Sequence, residues 1–284
     1  MTPQQITHVK NYIHHYKVSF LGKCLSLFLP YRKEIVLANF DIVFKEMLSN
    51  AEKQKLLLCF YTHIGKLITE FIKFRCLFKK KLITLVRIEG IEHALPFFLN
   101  NKPIILLAGH IGNWEIAPIA MMTAFPVIKD RAFIIRRKIK PEFIFNFLFS
   151  HFRKAGIHVV PKNNSLHTIL EHLATKNLLF VLDQYSLPGS HNTVLVDFFG
   201  TKTGTYRSLA LLKLATESPV IPIYAARNSD NTHTITIGKP LPWIEKENLN
   251  DEILANTRQF NQVLEDIILE HPEQWIWCHR RWRE

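Results

Sequence analysis

Short apolar runs alternate with helix-like segments along the chain from about residue 84. The runs cover residues 83–88, 104–108, 132–136, 157–160, 178–182, 220–226 and 233–238. They are short, continuous and rich in β-branched residues, which favours buried strands. Between them, apolar residues recur at helical spacing over residues 91–100, 114–124, 141–155, 164–176, 206–217 and 251–270. This alternation predicts an α/β fold, with one domain over residues 84–284 built on a central, largely parallel sheet flanked by helices.

The first 83 residues have a different pattern, and we interpret them as an N-terminal helical, membrane-associating segment. Residues 18–30, VSFLGKCLSLFLP, are shorter than the roughly 20 apolar residues of a spanning helix. Residues 66–82, KLITEFIKFRCLFKKKL, mix apolar and basic positions, and each basic residue near an anionic surface contributes about 1 kcal/mol. We therefore expect peripheral or shallowly inserted attachment. The alternative, that residues 18–30 form a buried first helix, stays open.

The composition narrows the class of partner. The chain has 36 Lys and Arg against 24 Asp and Glu, a formal charge of +12, which favours an anionic partner such as nucleic acid, an acidic protein or a membrane. The 21 phenylalanines fit either lipid handling or a large aromatic core. No nucleic-acid-binding signature is present, so we expect no nucleic acid. The four cysteines have no metal-ligand spacing and are interpreted as free thiols, and we expect neither a metal nor a cofactor.

The stretch LLAGHIGNWEIAP, residues 106–118, contains the strongest candidate for catalysis. A helix is predicted to begin near Asn113, which places His110 in the loop before it and Glu115 in its first turn. A carboxylate bound to one ring nitrogen makes the other a better base, so His110 and Glu115 are predicted to form an acid/base pair. Free N–H groups near Asn113 would bind an oxyanion or phosphate. Taken alone, the pair fits a turn histidine and a helix-start glutamate better than it fits a catalytic pair.

Further candidates lie at strand ends, where open α/β sheets bind their ligands. Arg136 ends one predicted strand and, with Arg137 and Lys138, is suited to a phosphate, while Asp183 follows another and would hold a sugar hydroxyl or position Arg136. Phe199 lies in an apolar loop that either walls an acyl-chain groove or packs beneath Trp275 and Trp277. The closing cluster of Trp275, Trp277, His279, Arg280, Arg281 and Trp282 either caps the sheet or contacts acidic groups.

At GHIGNWE the sequence resembles the lipid A late acyltransferases of the lysophospholipid acyltransferase superfamily. Five further passages agree with that family in order and spacing: RRKIKPEF (136–143), FRKAGIHVVPK (152–162), LDQYSLPG (182–189), VDFFGTKTGT (196–205) and PEQWIWCHRRW (272–282). The resemblance covers roughly residues 84–284. The N-terminal third resembles the family only in character, because its apolar segment is shorter than the membrane-anchoring helix typical of it.

The resemblance implies transfer of a fatty acyl group from a thioester, on acyl carrier protein or coenzyme A, to a hydroxyl of a lipid A precursor at the cytoplasmic face of the bacterial inner membrane. It implies His110 as the general base and Glu115 as its orienting partner. The substrate-binding residues that we expect are Arg136, Asp183, Arg137, Asn113, Arg153, Phe199 and Arg280. Two alternatives stay open: the same chemistry on another membrane lipid, and a non-catalytic basic membrane- or nucleic-acid-binding protein.

Overall fold

Four helices form the N-terminal part of the chain. The structure, a computed structural model, describes residues 1–76, 84–136, 140–161 and 166–283. The helices are α1 (Pro3–His15), α2 (Phe20–Phe28), α3 (Lys33–Phe44) and α4 (Asn50–Cys76). The side chain of Thr2 accepts a hydrogen bond at the start of α1, and that of Ser19 does so at the start of α2. The end of the predicted basic segment, residues 77–82, lies outside the described residues.

No helix in the described ranges combines the length and the apolar character needed to cross a bilayer.

Seven strands form the central sheet. They are β1 (Val86–Glu89), β2 (Ile105–Ala108), β3 (Ala132–Arg136), β4 (Ile157–Pro161), β5 (Asn177–Val181), β8 (Val220–Arg227) and β9 (His233–Ile237). Two further strands, β6 (Thr193–Phe198) and β7 (Thr201–Tyr206), form a separate hairpin. The order across the sheet is β1-β9-β8-β2-β5-β3-β4, and only the β8–β9 pair is antiparallel. The predicted α/β fold with a largely parallel sheet is therefore confirmed.

Helices cover both faces of this sheet. In chain order after α4 they are α5 (Leu95–Leu99), α6 (Ile116–Ala124), α7 (Glu142–Ala155), α8 (Leu166–Leu173), α9 (Ser208–Thr216) and α10 (Leu249–Glu270). One buried cluster joins the sheet to apolar residues of α1, α3, α4, α9 and α10, and a second joins it to α5, α6 and α7. The N-terminal helices thus share a core with the sheet. The division of the chain at residues 83 and 84 stays a prediction.

The sequence pattern gave no sign of one element, the hairpin of β6 (Thr193–Phe198) and β7 (Thr201–Tyr206). The fully buried Arg281 holds it, since its guanidinium donates to the Gly204 carbonyl (2.7 Å) and the Thr205 hydroxyl (2.7 Å) and lies 4.8 Å from the centre of the Phe198 ring. Trp275 and Trp277 are also fully buried. These members of the closing cluster are therefore part of the core, as the structural alternative predicted.

Candidate active site

The order of strands brings His110 and Asp183 together from positions 73 residues apart in the sequence. Strands β2 and β5 are parallel neighbours, and their last residues, Ala108 and Val181, are paired in register. His110 and Asp183 each follow two residues later, so both lie at the carboxyl edge of the sheet. The Nδ1 atom of His110 is 2.9 Å from Oδ1 of Asp183.

Asp183 is a buried carboxylate, 2% exposed, whose second oxygen is also occupied. Its Oδ2 accepts hydrogen bonds from the backbone N–H of His110 (2.7 Å) and from Nε1–H of Trp275 (2.8 Å). Burial by itself would raise the pKa of Asp183, but the charge and hydrogen bonds of His110 and the bond from Trp275 lower it to about 2. Asp183 is therefore ionised at neutral pH.

The free nitrogen of His110 is suited to accept a proton. An ionised carboxylate only accepts hydrogen bonds, so Nδ1 carries the proton toward Asp183 and the neutral ring has its lone pair on Nε2. No described residue hydrogen-bonds Nε2. The imidazole meets the Trp114 ring edge-on, with 5.2 Å between ring centroids, and its side chain is 13% exposed. The geometry is that of a histidine base open to a small reacting group.

The loop that carries His110 is braced by residues from the end of the chain and from β8. The backbone N–H of Gly112 donates to the Gln274 carbonyl (2.9 Å), that of Ile276 donates to the His110 carbonyl (3.1 Å), and that of Asn113 donates to the Ala225 carbonyl (3.0 Å). Gly112 has a φ of +60°, and any side chain there would collide with the Ala225 carbonyl oxygen. Glycine at this position therefore permits the close approach to β8.

Glu115 belongs to a second group beside this loop. Its carboxylate is 3.5 Å from Nη2 of Arg136, at the end of β3, and 3.2 Å from Nε2 of His151, on α7. All three side chains are half-buried, with exposures of 19–28%. The His151 ring also contacts that of Phe71 on α4, at 6.4 Å between centroids. The group thus joins three helices and a strand end, and the side chains of Arg136 and His151 face one shared carboxylate.

An apolar cavity begins next to His110. Gly109 and Ile111, on either side of the histidine, line it together with Trp114 and Arg136, and further in it is bounded by residues of α6 and the sheet, among them Met121, Met122, Phe133 and Ile223. Nearly all of these side chains are apolar, so the cavity is suited to a hydrocarbon chain. Arg136 is the charged residue among the described residues of this lining.

Metal-ligand geometry is not found in the part of the chain that the structure describes, where no three His, Cys, Asp or Glu side chains converge. His110 and Asp183 are bonded to each other, and the Glu115 carboxylate faces the Arg136 guanidinium and the His151 imidazole. The chemistry that these described residues can perform is proton transfer and anion binding.

Comparison with known proteins identifies the family. The family described as bacterial lipid A biosynthesis acyltransferase matches residues 13–284. The chain belongs to this family. Two proteins of Haemophilus influenzae, each named lipid A biosynthesis acyltransferase, are similar to parts of it. One is 35% identical over 101 residues, which are 34% of this chain and 30% of that protein. The other is 26% identical over 117 residues, which are 41% of this chain and 35% of that protein.

Each of these matches therefore spans about a third of the curated relative. The family match is much longer, since it includes all of the central sheet and most of the N-terminal helices. The resemblance drawn from GHIGNWE and the five passages that follow it is confirmed at the level of the family.

The carboxylate that contacts Nδ1 of His110 differs from the one predicted to pair with it. Asp183, not Glu115, is bound to Nδ1. Glu115 directly precedes α6 and points to Arg136 and His151. The physical reason is the order of the strands. His110 and Asp183 each follow the end of a strand by two positions, and they are adjacent because those strands, β2 and β5, are parallel neighbours. Glu115 lies five positions after His110, at the start of a helix, and its side chain points in another direction. Asp183 was predicted to hold a sugar hydroxyl or to position Arg136, and its partners in the structure are His110 and Trp275.

The other predicted substrate-binding residues are distributed unevenly. Arg136 lines the apolar cavity. Asn113 is buried, and its side chain donates to Glu70 and accepts from the Ile116 N–H. Arg153 is exposed and bonds to Asn146, beside a different surface cleft along β4. Arg137 lies outside the described residues.

The two remaining candidates lie apart from the cavity lining. Phe199 is buried, and its ring centroid lies 4.9 Å from that of Phe198 and 6.4 Å from that of Trp282. Phe199 therefore packs against Phe198 and Trp282. Of the two tryptophans named in the packing interpretation, it is Trp275 that the loop reaches, through Phe198 at 5.8 Å between centroids. Arg280 is exposed, beside the buried Arg281. Phe199 does not line the cavity beside His110, so a substrate held in that cavity would not contact it there.

Three residues of the site were missed in the sequence. Trp275 was assigned a structural role, but its indole N–H also holds Asp183. His151 lies among the apolar residues of α7, where no local pattern separates it from a core histidine. Glu70 did carry a signal, because it is the lone acidic residue of the basic segment 66–82.

Proposed function

We propose that this protein transfers a fatty acyl group from a thioester to a hydroxyl of a lipid A precursor. The observation that carries the proposal is the His110 imidazole, whose Nδ1 is held by the buried Asp183 carboxylate and whose loop borders an apolar cavity. Family membership supports the reaction class and the pathway. The donor is proposed to be acyl carrier protein, an acidic partner that the charge of +12 would attract.

The proposed step uses one base and balances without a cofactor. Nε2 of His110 removes the proton of the acceptor hydroxyl while that oxygen attacks the thioester carbonyl carbon. The tetrahedral intermediate then expels the thiolate as the carbon–sulfur bond breaks, and the imidazolium returns the proton to the sulfur. Asp183 stabilises the imidazolium between the two transfers. The products are an ester on the acceptor and a free thiol on the donor.

The two other parts of the site have complementary tasks in this proposal. The apolar cavity holds the acyl chain with its thioester next to His110. Arg136, at the cavity wall, binds an anionic group of a substrate, and Glu115 with His151 holds the guanidinium in place. Glu115 thus keeps a place in the proposed site through Arg136 and His151 instead of through Nδ1 of His110.

We further propose peripheral attachment to the cytoplasmic face of the inner membrane. Phe20, Leu27 and Phe28 are 82%, 72% and 77% exposed on one face of α2, and Ile68 and Ile72 are exposed on α4. The two helices are packed so that the Leu21 side chain lies over Gly65, one turn from Ile68, so the exposed faces adjoin.

The surroundings of this apolar surface favour a lipid surface as its partner. Exposed Lys17, Lys23 and Lys73 lie on the same two helices or directly before them, where they would meet anionic headgroups. Contiguous exposed apolar side chains of this extent are typical of membrane or protein docking sites. Phe71, next to Ile72, contacts His151, so the proposed membrane surface reaches the edge of the proposed active site.

The test is transfer of radiolabelled acyl groups from acyl carrier protein to a purified tetra-acylated lipid A precursor in detergent. The parent should transfer label, and His110→Ala should lose about 10²- to 10⁴-fold in rate, the contribution of a general base. His167→Ala is the matched control, because that side chain is 79% exposed on α8 and lies 3.3 Å from the Glu171 carboxylate of the same helix.

Other outcomes would point to other functions. Transfer to a lysophospholipid or glycolipid but not to the lipid A precursor would keep the chemistry and change the acceptor. No transfer by the folded parent to any lipid hydroxyl, with binding to anionic vesicles intact, would favour a non-catalytic membrane-binding protein.

A further inference from the structure

A buried carboxylate on α4 is bound to the loop of His110. Glu70 accepts two hydrogen bonds from Arg227 at the end of β8, from Nε to Oε1 (2.6 Å) and from Nη2 to Oε2 (2.7 Å). Its Oε2 also accepts from Nδ2 of Asn113 (2.8 Å). All three residues are buried, with exposures below 10%. One side chain of the N-terminal part therefore joins the strand end to the loop that carries the proposed base.

These contacts close a ring. The backbone of Arg227 exchanges two hydrogen bonds with the Gln274 side chain, at 2.8 and 3.0 Å. The Gln274 carbonyl accepts from the Gly112 N–H, and Gly112 precedes Asn113, which returns to Glu70. A hydrogen-bonded ring fixes the relative positions of its members more tightly than any single contact does. The loop is thus held on both sides, by the end of the chain and by α4.

The Glu70 carboxylate is ionised at neutral pH, so it can accept all of these hydrogen bonds there. Burial alone would raise the pKa of Glu70, but the hydrogen bonds and charges of Arg227 and His233 lower it well below its usual range. A buried ion pair usually contributes little net stability compared with apolar side chains of the same volume. Its contribution here is the fixed geometry of the groups that it bonds.

We propose that Glu70 is a positioning residue for catalysis, which acts through Asn113 to hold the His110 loop. The proposal rests on the proposed function, since it gives Glu70 a part in the acyl transfer performed by His110. Asn113 then has a different task from the substrate binding expected of it. Its Nδ2 ties the loop to Glu70, while its Oδ1 accepts from the Ile116 N–H at the start of α6.

The test is Asn113→Asp, which keeps the acceptor for Ile116 but places a carboxylate against Glu70. We expect kcat to fall about 10²-fold, the effect of displacing a reacting group by about 1 Å, with KM changed only slightly. Glu70→Gln, whose amide NH₂ group must face an N–H donor of Arg227, should lower kcat in the same way without adding a charge. The matched control is Asn256→Asp, a fully buried asparagine that bonds the Ile244 backbone, far along the chain.

A second measurement separates this proposal from the proposed function. Hydrogen–deuterium exchange of the peptide over residues 109–116 should be faster in Asn113→Asp than in the parent and unchanged in Asn256→Asp, whether or not acyl transfer is detected. An unchanged kcat and unchanged exchange in folded Asn113→Asp would overturn the positioning role. So would an equal loss of kcat in Asn256→Asp, or an unchanged kcat in folded Glu70→Gln.

Discussion

Replacing Asp183 with asparagine should prevent Nε2 of His110 from acting as a base while leaving the protein folded. Oδ2 of Asp183 accepts from both the His110 N–H and the Trp275 indole N–H, so the amide oxygen of the variant must take that position. The amide NH₂ group then faces Nδ1 and donates to it. Nδ1 becomes the acceptor, and the proton moves to Nε2. The variant is therefore expected to lose about 10²- to 10⁴-fold in the rate of acyl transfer.

The same substitution should carry a pH-dependent cost in stability. The pKa of Asp183 is lowered from its ordinary 3.8 to about 2, which corresponds to roughly 2.5 kcal/mol of stability. Because the folded-state pKa is depressed, this contribution is present above about pH 4 and is lost as the pH falls toward 2. Asp183→Asn should therefore unfold at lower urea than the parent at pH 7, and the difference should narrow below pH 4.

The assays are initial rates of acyl transfer and urea unfolding at several pH values. Asp266→Asn, the same change at an exposed position of α10, is the control for the chemical substitution. Trp275→Phe removes one donor from Asp183 but leaves its contact with His110, so it should cost less in rate than Asp183→Asn. A folded Asp183→Asn protein that transfers acyl groups at nearly the parent rate would refute the assignment of Asp183 as the orienting carboxylate.

Three further predictions concern other parts of the molecule. Glu115→Gln should slow acyl transfer but change the unfolding free energy by less than about 1 kcal/mol, because its ion pair is partly exposed; equal rates in parent and variant would contradict this. Phe20→Ser with Phe28→Ser should weaken sedimentation with anionic vesicles about tenfold or more, while Leu249→Ser, at an exposed position of α10, should not. Burial raises the pKa of Glu273 to about 7, so the unfolding free energy of the parent should fall by roughly 3 kcal/mol as the pH rises from 4.5 to 7. Glu273→Gln should not show this fall when urea unfolding is measured over the same pH range. A variant whose unfolding free energy falls with pH as steeply as that of the parent would contradict the prediction.

The strands of the sheet could be predicted from the sequence because most of them are short, nearly continuous apolar runs, while β1 and β9 alternate apolar and polar residues. All seven strands of the central sheet lie within one or a few residues of a predicted run. The β6–β7 hairpin was missed because its strands include polar and glycine positions, such as TKTGTY over 201–206, that are typical of loops. The hairpin exists because Arg281, some 75 residues later, supplies hydrogen bonds that no local pattern shows.

The sequence was enough to predict most residues of the site, but not which of their side chains contact each other. His110, Arg136 and Asp183 were found because each lies where a strand ends. Which carboxylate meets which nitrogen depends on the lateral order of the strands, and a run of apolar letters does not specify that order. Once β2 and β5 are known to be neighbours, the contact between His110 and Asp183 follows.

The bracing of the His110 loop by residues 274–276 also has a consequence for synthesis. The helices α2 and α4 precede every strand of the sheet in the chain, so the proposed attachment to a membrane through their apolar faces would precede completion of the site. Gln274, Trp275 and Ile276 emerge more than 160 residues after His110, and until then neither the loop nor Asp183 has its full set of bonds. Under the proposed function, a nascent chain would therefore reach a lipid surface before it became able to modify lipid.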